Sequence, residues 1–281
     1  MTRLIVVTTL AMLAFAGNSL LCRVALRDTA IDAASFTAIR LASGALVLAL
    51  IVRARGGRAG SAGSWPAAAC LFGYAAGFSF AYRELSAATG ALLLFGAVQT
   101  AMLSWGLASG ERLRTLQIAG LLIAVGGLVY MLLPGLSAPP LEGAAFMIAA
   151  GVCWAGYSLL GRGTKDATAA TAGNFLRAVP FAAALSLAMA AGVNTATAVD
   201  RTGALYAVVS GAITSGLGYV LWYAALPFLT AASAAVIQLS VPAIAALGGV
   251  VLLAEPLSSR LVIASVTILG GIALTILRPR T

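Results

Sequence analysis

Apolar residues fill almost the whole chain, in blocks of about twenty that are separated by short polar or basic loops. A run of roughly 18 or more apolar residues is long enough to cross a bilayer as an α-helix. The blocks are uniformly apolar rather than alternating, which disfavours a transmembrane β-barrel. The pattern therefore predicts an all-α integral membrane protein with ten transmembrane helices.

Prolines and glycines set the less obvious helix boundaries. Pro134 and Gly135 end helix 5, because neither continues a helix cheaply. Residues 138–140 are typical of an extended linker, and Leu226-Pro227-Phe228 divides an uncharged stretch that is too long for one crossing. The predicted helices are Leu4–Cys22, Ala33–Val52, Trp65–Tyr82, Ser86–Ala108, Thr115–Leu133, Gly143–Leu160, Thr168–Ala191, Gly203–Ala225, Ala231–Leu253 and Arg260–Leu277.

An internal repeat divides the chain into two halves. The segment from Phe15 to Arg23 matches that from Trp154 to Arg162 at six of nine positions. A second match follows in the same order, between residues 110–113 and residues 254–257. We therefore expect two repeats, residues 1–137 and 138–281, of five helices each. Because five is odd, the second repeat enters the membrane from the opposite side. Such inverted repeats are typical of secondary transporters, whose substrate site lies near the midplane between the halves.

The charged residues fit a membrane protein better than a nucleic-acid-binding one. Only 9% of residues are charged, against about a quarter in soluble domains. The net charge of +9 comes from Arg and Lys in short loops, which membrane topology explains. We therefore expect membrane lipid as a partner and no nucleic acid. The chain has no His and its three Cys lack metal-ligand spacing, so we expect neither a metal site nor a cofactor.

The basic residues also predict an orientation. Ten helices place both termini on one side of the membrane, and cytoplasmic loops carry an excess of Lys and Arg. The side of the termini holds ten basic residues and the other side five, which predicts cytoplasmic termini in a bacterial inner membrane. The ten are Arg3, Arg53, Arg55, Arg58, Arg112, Arg114, Arg162, Lys165, Arg278 and Arg280, and the five are Arg23, Arg27, Arg83, Arg201 and Arg260.

These features resemble a known family. The repeated segments of helices 1 and 6, Gly110-Glu111 and Ala254-Glu255-Pro256, together with the run 231–235 before Pro242, are similar to the ten-helix EamA-type members of the drug/metabolite transporter superfamily. The resemblance implies a small-molecule transporter, most similar to bacterial exporters of amino acids, especially aromatic ones. Helix 4 departs from it, because Val98-Gln99 stands where helix 9 has Pro242.

Two arginines lie inside predicted helices, at corresponding places in the two repeats. An ionisable group within a membrane span is costly, so Arg40 and Arg177 are functional candidates. A guanidinium binds a carboxylate through two parallel hydrogen bonds, so either arginine could hold an amino-acid substrate. The alternative is that each side chain extends to the nearer membrane surface or caps a neighbouring helix.

Aromatic and amide side chains cluster in the middles of several helices. A mid-span amide needs a partner in lipid, so these groups should face the interior. An aromatic cavity with a few amides suits a small amphipathic molecule with a ring. The alternative for each aromatic is helix packing or an interfacial belt. With the two arginines, the candidate substrate-binding residues are Asn18, Tyr74, Phe78, Tyr82, Gln99, Trp154, Tyr157, Asn174, Tyr219 and Gln238.

Two acids and two prolines are expected to have structural or hinge roles rather than to bind substrate. Glu111 and Glu255 lie at the ends of long spans and are expected to be structural, holding the turn and accepting hydrogen bonds from the N-terminus of the next helix. Pro180 and Pro242 interrupt helices and are candidate hinges. No acid lies deep in a predicted span, which favours facilitative transport over proton antiport.

The sequence thus predicts a secondary transporter that exports amino acids or related metabolites, aromatic amino acids first, by alternating access. It lacks a nucleotide-binding loop and catalytic groups, so we expect no enzyme activity. One alternative is an exporter of drugs or nucleotide-conjugated metabolites, with or without proton coupling. Another is an embedded enzyme or a scaffold. A monomer with an interior cavity could work alone.

Overall fold

The structure, a computed structural model, describes residues 2–110, 115–135, 138–161, 164–192, 198–225, 228–229 and 237–276. Within these ranges the chain forms ten long helices and no strand. They are α1 Thr2–Asp28, α2 Ala33–Ala54, α3 Trp65–Tyr82, α4 Ala87–Ala108, α5 Thr115–Leu132, α6 Leu141–Leu160, α7 Ala167–Ala191, α8 Arg201–Ala225, α9 Ser240–Leu253 and α10 Ser259–Ile276. The middle of α8, Ser210–Leu217, is π-helical.

Seven of these helices are long and apolar enough to cross a membrane by length and composition: α1, α2, α4, α5, α6, α7 and α8. The helix α9 is apolar but shorter, with 14 residues, and α10 is apolar over Ser259–Leu274. The helix α3 has 18 residues and lies between α2 and α4 in the sequence. The predicted class, an all-helical multi-pass membrane protein of ten helices, is confirmed.

Most helix ends agree with the predicted ones to within two residues. Polar side chains cap several N-termini, as when Ser64 and Ser86 accept hydrogen bonds from the first turns of α3 and α4. The main difference is α1, which continues past Cys22 to Asp28 because Arg23 and Arg27 find partners on neighbouring segments. The predicted break at Leu226-Pro227 lies outside the described residues.

The helices alternate in direction through the bundle. We call the end at which α1 begins the proximal end, and the end at which it finishes the distal end. At the distal end Glu84, after α3, accepts a hydrogen bond from Gly143 at the start of α6. At the proximal end Ser64, before α3, donates to Asn174 of α7. The helices α1 and α6 therefore run in opposite directions, as an inverted repeat requires.

Helices at corresponding places in the two predicted repeats make corresponding contacts. Helix α1 packs against α8 and α9, and its counterpart α6 packs against α3 and α4. Helix α2 packs against its own counterpart α7, and α5 against α10. Small residues permit these approaches: a Cβ at Gly151 would lie 2.7 Å from Ala97 Cβ. The contacts surround a central space bounded by α1, α3, α4, α6 and α8.

Candidate functional site

A cavity of about 370 Å³ occupies this central space and draws its walls from both predicted repeats. That volume falls within the range of small-molecule binding sites. Eight predicted binding residues line it: Asn18, Tyr74, Phe78, Gln99, Trp154, Tyr157, Tyr219 and Gln238. Among the described residues, the lining includes no Asp, Glu, Lys or Arg.

Aromatic rings form one continuous wall of this central cavity. The Trp154 ring lies 4.7 Å from the Tyr74 ring and 5.4 Å from each of the Tyr157 and Tyr219 rings, centroid to centroid. Phe78 continues the wall from Tyr74 at 5.3 Å. Aromatic contacts at these distances stabilise one another beyond the burial of their area. The wall joins α3 and α6 to α8, and it offers flat apolar faces to a bound ring.

A polar network crosses the cavity wall from α8 to α3. Ser210 Oγ donates to Asn18 Oδ1 at 2.7 Å, and Asn18 Nδ2 donates to the Tyr74 hydroxyl at 3.3 Å. The hydroxyl of Thr214 lies 3.3 Å from the same amide oxygen and 2.8 Å from the Ser210 carbonyl oxygen. These contacts hold the Asn18 amide in one orientation at the edge of the cavity.

Arg40 lies immediately behind the cavity wall rather than in it. Only 2% of its surface is exposed, and its Nη2 donates to the Tyr74 hydroxyl at 3.2 Å. Its guanidinium carbon lies 5.3 Å from the Tyr74 ring centroid and 4.9 Å from that of Phe78. Its Nη1 has no hydrogen-bond partner among the described residues, and no described acid forms an ion pair with it. The α2 arginine is therefore a buried cation held by aromatic groups.

The structure places Arg177 away from the central cavity. Its Nη1 donates to the carbonyl oxygens of Ala62 and Gly173 at 2.8 and 3.0 Å, and its Nη2 donates to that of Gly60 at 3.2 Å. The α7 arginine thus fastens the glycine-rich α2–α3 loop to the bundle. Although Arg40 and Arg177 occupy corresponding places in the two repeats, their surroundings differ.

Two other candidates also lie outside the central cavity. Asn174 Oδ1 accepts a hydrogen bond from Ser64 N at 2.8 Å, which anchors the start of α3. Tyr82 is fully buried, where its ring packs on Phe78 at 4.7 Å and its hydroxyl donates to Ala87 O at 3.3 Å.

A second cavity of about 240 Å³ adjoins the first at its proximal end. Asn174 and Ser64 line it, and the two cavities share Tyr157, Gly161 and Tyr223. The second cavity also reaches Thr164 and Ala167, at the proximal end of α7. The two cavities together therefore extend from the centre of the bundle toward the proximal end.

A largely buried ion pair lies at the distal end. Arg23 Nε lies 3.0 Å from Glu255 Oε1, and the two side chains are 13% and 6% exposed. Glu255 Oε2 also accepts a hydrogen bond from Ala87 N at 2.8 Å. Arg23 Nη1 donates to the carbonyl oxygens of Tyr82 and Arg83 at 3.0 and 3.2 Å. Glu255 therefore caps the N-terminus of α4 and not, as the sequence suggested, that of the next helix.

The remaining predicted residues have varied positions. Pro180 lies within an uninterrupted α7. Pro242 lies in the first turn of the described part of α9, where a missing N–H costs little. Glu111 lies outside the described residues.

Sequence reasoning missed several lining residues: Phe15, Ser19, Leu94, Phe95, Val98, Met102, Ser158, Gly161, Thr214 and Ser215. Most are apolar or small and carry no distinctive signal. The hydroxyl residues of α8 form a polar group within an apolar span, which could have identified them.

The described side chains of the site can bind a small molecule, but they do not form a metal-binding group. No group of three His, Cys, Asp or Glu side chains with metal-binding geometry occurs among the described residues. What the site offers is flat aromatic area, hydroxyl and amide groups, and a positive charge behind one wall.

Comparisons with known proteins agree with this architecture. Residues 141–277 match the EamA-like transporter family. A protein of Pseudomonas aeruginosa, named only as uncharacterized, is 58% identical over 279 residues, which cover 99% of this chain and 96% of that protein. A crystal structure of a protein 22% identical in sequence has the same fold, with a TM-score of 0.66 and 96% of each chain covered.

Proposed function

The chain belongs to the EamA-like transporter family, and we propose that it is a secondary transporter that exports small aromatic metabolites, aromatic amino acids first. The observation that carries this proposal is the central cavity between the two repeats. Its position is the one that inverted-repeat transporters use for substrate. The two repeats, residues 1–137 and 138–281, would move against each other around it.

The cavity walls support the substrate class. Trp154, Tyr74 and Tyr219 present flat faces on which an aromatic ring can stack. Asn18, Gln99 and Gln238 supply polar groups that can orient a small polar end. The volume is near the lower limit for drug-sized sites, which favours an amino acid over a larger drug or nucleotide conjugate.

The two ends of the bundle support an alternating-access mechanism. The Arg23–Glu255 pair ties α1, α4 and the end of α9 together at the distal end, whereas the cavities extend toward the proximal end. Described basic residues on the proximal side include Arg53, Arg55 and Arg58, which fits a cytoplasmic face. In this proposal the structure is an inward-facing state in the inner membrane, and Pro180 and Pro242 are candidate hinges.

The transport we propose is facilitative. Among the described residues the cavity lining has no carboxylate that could carry a coupling proton. The buried acid Glu255 is engaged by Arg23 and Ala87 at the distal end. A single chain holds the whole cavity, so the proposed working unit is a monomer.

The test is uptake of labelled tryptophan, phenylalanine, threonine and methionine into liposomes that contain the purified protein. We expect uptake to stop when the inside and outside concentrations are equal and to be unaffected by an imposed proton gradient. Tryptophan and phenylalanine should be taken up faster than threonine and methionine. Recovery of unchanged solute would exclude an enzymatic reaction.

A matched pair of tryptophan variants locates the site. Trp154→Ala should lower the uptake of aromatic substrates at least tenfold, since Trp154 contacts three rings of the wall. Trp105→Ala is the control, because Trp105 is 59% exposed on the outer surface of α4. Equal loss in both variants would contradict the site. Uptake driven by the proton gradient would contradict facilitative transport, and no uptake by folded protein would contradict the substrate class.

A further inference from the structure

We infer that the central cavity selects a negatively charged group on its substrate, and that the Tyr74 hydroxyl is the donor that binds it. Arg40 and Asn18 are positioning residues that prepare this hydroxyl. The inference rests on the proposed transport function and specifies the substrate class as small aromatic carboxylates. It also assigns the amino group of an amino acid no required role.

The first step is the hydrogen bonding of Tyr74. Its oxygen accepts one hydrogen bond from Arg40 Nη2 at 3.2 Å and another from Asn18 Nδ2 at 3.3 Å. A phenol oxygen carries one proton besides the lone pairs that these two donors occupy. No described residue accepts that proton. Tyr74 lines the cavity, and in this inference its O–H is the group that a bound ligand meets.

The second step is the fixed orientation of Asn18. Ser210 Oγ donates to Asn18 Oδ1 at 2.7 Å, so the amide oxygen faces α8. The amide nitrogen is then left to donate to Tyr74. Tyr74 therefore receives hydrogen bonds on two sides, and its O–H is left as a donor.

The third step is the charge of Arg40. A buried cation is costly unless it is paired, and membrane spans carry such groups mainly for function. The rings of Tyr74 and Phe78 offset part of the cost through cation–π contacts. No described acid pairs with Arg40, and its Nη1 lacks a partner. A substrate carboxylate at Tyr74 would supply the missing negative charge.

Arg40 exerts this effect through Tyr74 rather than by contact. The arginine is 2% exposed and is absent from the cavity lining. A hydroxyl whose oxygen accepts from a guanidinium is a stronger donor, because hydrogen bonds in a chain polarise one another. Donation to an ionised acceptor is stronger still. The described lining offers no carboxylate that could bind an ammonium group, so we expect the cavity to select for negative charge and not for positive charge.

The experiment compares three indole compounds that differ in charge: indole-3-propionate, tryptophan and tryptamine. They carry a carboxylate alone, a carboxylate with an ammonium, and an ammonium alone. Equilibrium binding to the purified protein and uptake into liposomes are both measured. We expect indole-3-propionate and tryptophan to bind with Kd values within tenfold of each other, and tryptamine to bind at least tenfold more weakly than either.

The variants test the assigned roles. Tyr74→Phe keeps the ring and removes the hydroxyl, so it should raise the Kd of both carboxylates about tenfold and leave that of tryptamine within twofold. Arg40→Gln should reduce the preference for carboxylate over amine, a ratio that a merely structural role would not move. Tyr130→Phe is the control, because Tyr130 also lies near an arginine, 5.9 Å from Arg260, but does not line the cavity. If Arg40→Gln does not fold, Tyr74→Phe alone decides.

The outcomes separate this inference from the proposed function. Tryptamine that binds as tightly as the acids, or a Tyr74→Phe variant that weakens all three compounds equally, overturns charge selection while transport stands. Charge-selective binding without uptake upholds the inference and overturns the transport assignment. Folded protein that neither binds nor transports any of the three overturns both.

Discussion

Arg23 of α1 and Glu255 at the end of α9 lie 232 residues apart in sequence, yet their side chains meet at 3.0 Å. They lie in different predicted repeats. Because Ala87 N also donates to the Glu255 carboxylate, this one acid joins three helices at the distal end of the bundle. The pair is largely buried, so removing Arg23 leaves Glu255 with only the more distant Arg27, 4.0 Å away, and removing Glu255 leaves Arg23 without a described acidic partner.

We expect Arg23 and Glu255 to be strongly coupled. In a double-mutant cycle of Arg23→Gln and Glu255→Gln, the coupling free energy should be about 1–3 kcal/mol, since contacting residues in one network fall in that range. The measurement is unfolding by SDS in mixed micelles. The exposed neighbours Arg27 and Asp28, whose Nε and Oδ1 atoms lie 2.6 Å apart, provide the control pair and should couple by less than about 1 kcal/mol. Because Arg27 Nη1 also lies 4.0 Å from Glu255 Oε1, the control cycle is measured in the Glu255→Gln background. Equal coupling in the two pairs would contradict a role for burial.

Cys22 should report the opening of the distal end. It is fully buried on α1, one residue before Arg23. Weakening the distal pair with Glu255→Gln should increase the rate at which a membrane-impermeant thiol reagent modifies Cys22 at least fivefold, because an outward-open state exposes this helix. Cys70→Ser and Cys153→Ser remove the other two thiols. An unchanged rate in protein that still transports would argue against a distal gate at this pair.

Gly211 should not tolerate a side chain. A Cβ there would overlap the Arg40 carbonyl oxygen and Ser43 Oγ, so α8 could not pack on α2. Gly211→Ala should therefore lower the Tm by several degrees or prevent folding. Gly270→Ala is the control, because a Cβ at Gly270 meets nothing within 4 Å, and alanine favours a helix interior by about 1 kcal/mol. The Tm of each variant is measured by thermal unfolding, with size-exclusion chromatography as the readout of folded protein. Similar Tm values for Gly211→Ala and Gly270→Ala would contradict the packing argument.

Arg177→Gln should release the α2–α3 loop. The lost hydrogen bonds to Ala62 and Gly60 hold this loop against α7, so trypsin should cut at Arg58 at least several-fold faster. Uptake should keep its KM within about threefold, because Arg177 does not line the cavity. Arg83→Gln, an exposed arginine at the opposite end, should leave cleavage at Arg58 unchanged. A large rise in KM with an unchanged cleavage rate would instead return Arg177 to the substrate site.

The sequence contained enough information to predict the helices and much of the cavity wall. Long apolar blocks set the helices, because bilayer thickness leaves little choice of length. Mid-span groups such as Asn18 and Trp154 pointed inward, because lipid offers them no partner. These arguments concern single residues and the solvent around them, which a sequence displays directly.

The different surroundings of Arg40 and Arg177 could not be predicted from the sequence. The two had the same signal, a cation about two turns inside a helix. Their difference depends on the loop at residues 55–64, which reaches α7 and supplies carbonyl oxygens to one arginine only. A sequence pattern does not reveal where a flexible glycine-rich loop will lie. The Arg23–Glu255 pair was missed for a similar reason, since it depends on helices that meet only in the folded bundle.

The π-helical segment of α8 decides which side chains share a face. Ser210 and Tyr219 are nine residues apart, which is about two and a half turns of a regular α-helix, so an unbroken α-helix would point them in opposite directions. The wider π turns of Ser210–Leu217 delay the winding and bring both residues to the same side. Ser210, in the segment, can thus hold Asn18 in place while Tyr219, just beyond the segment, packs against the Trp154 ring. The winding of a single helix is what places the polar and the aromatic parts of the cavity within reach of one molecule.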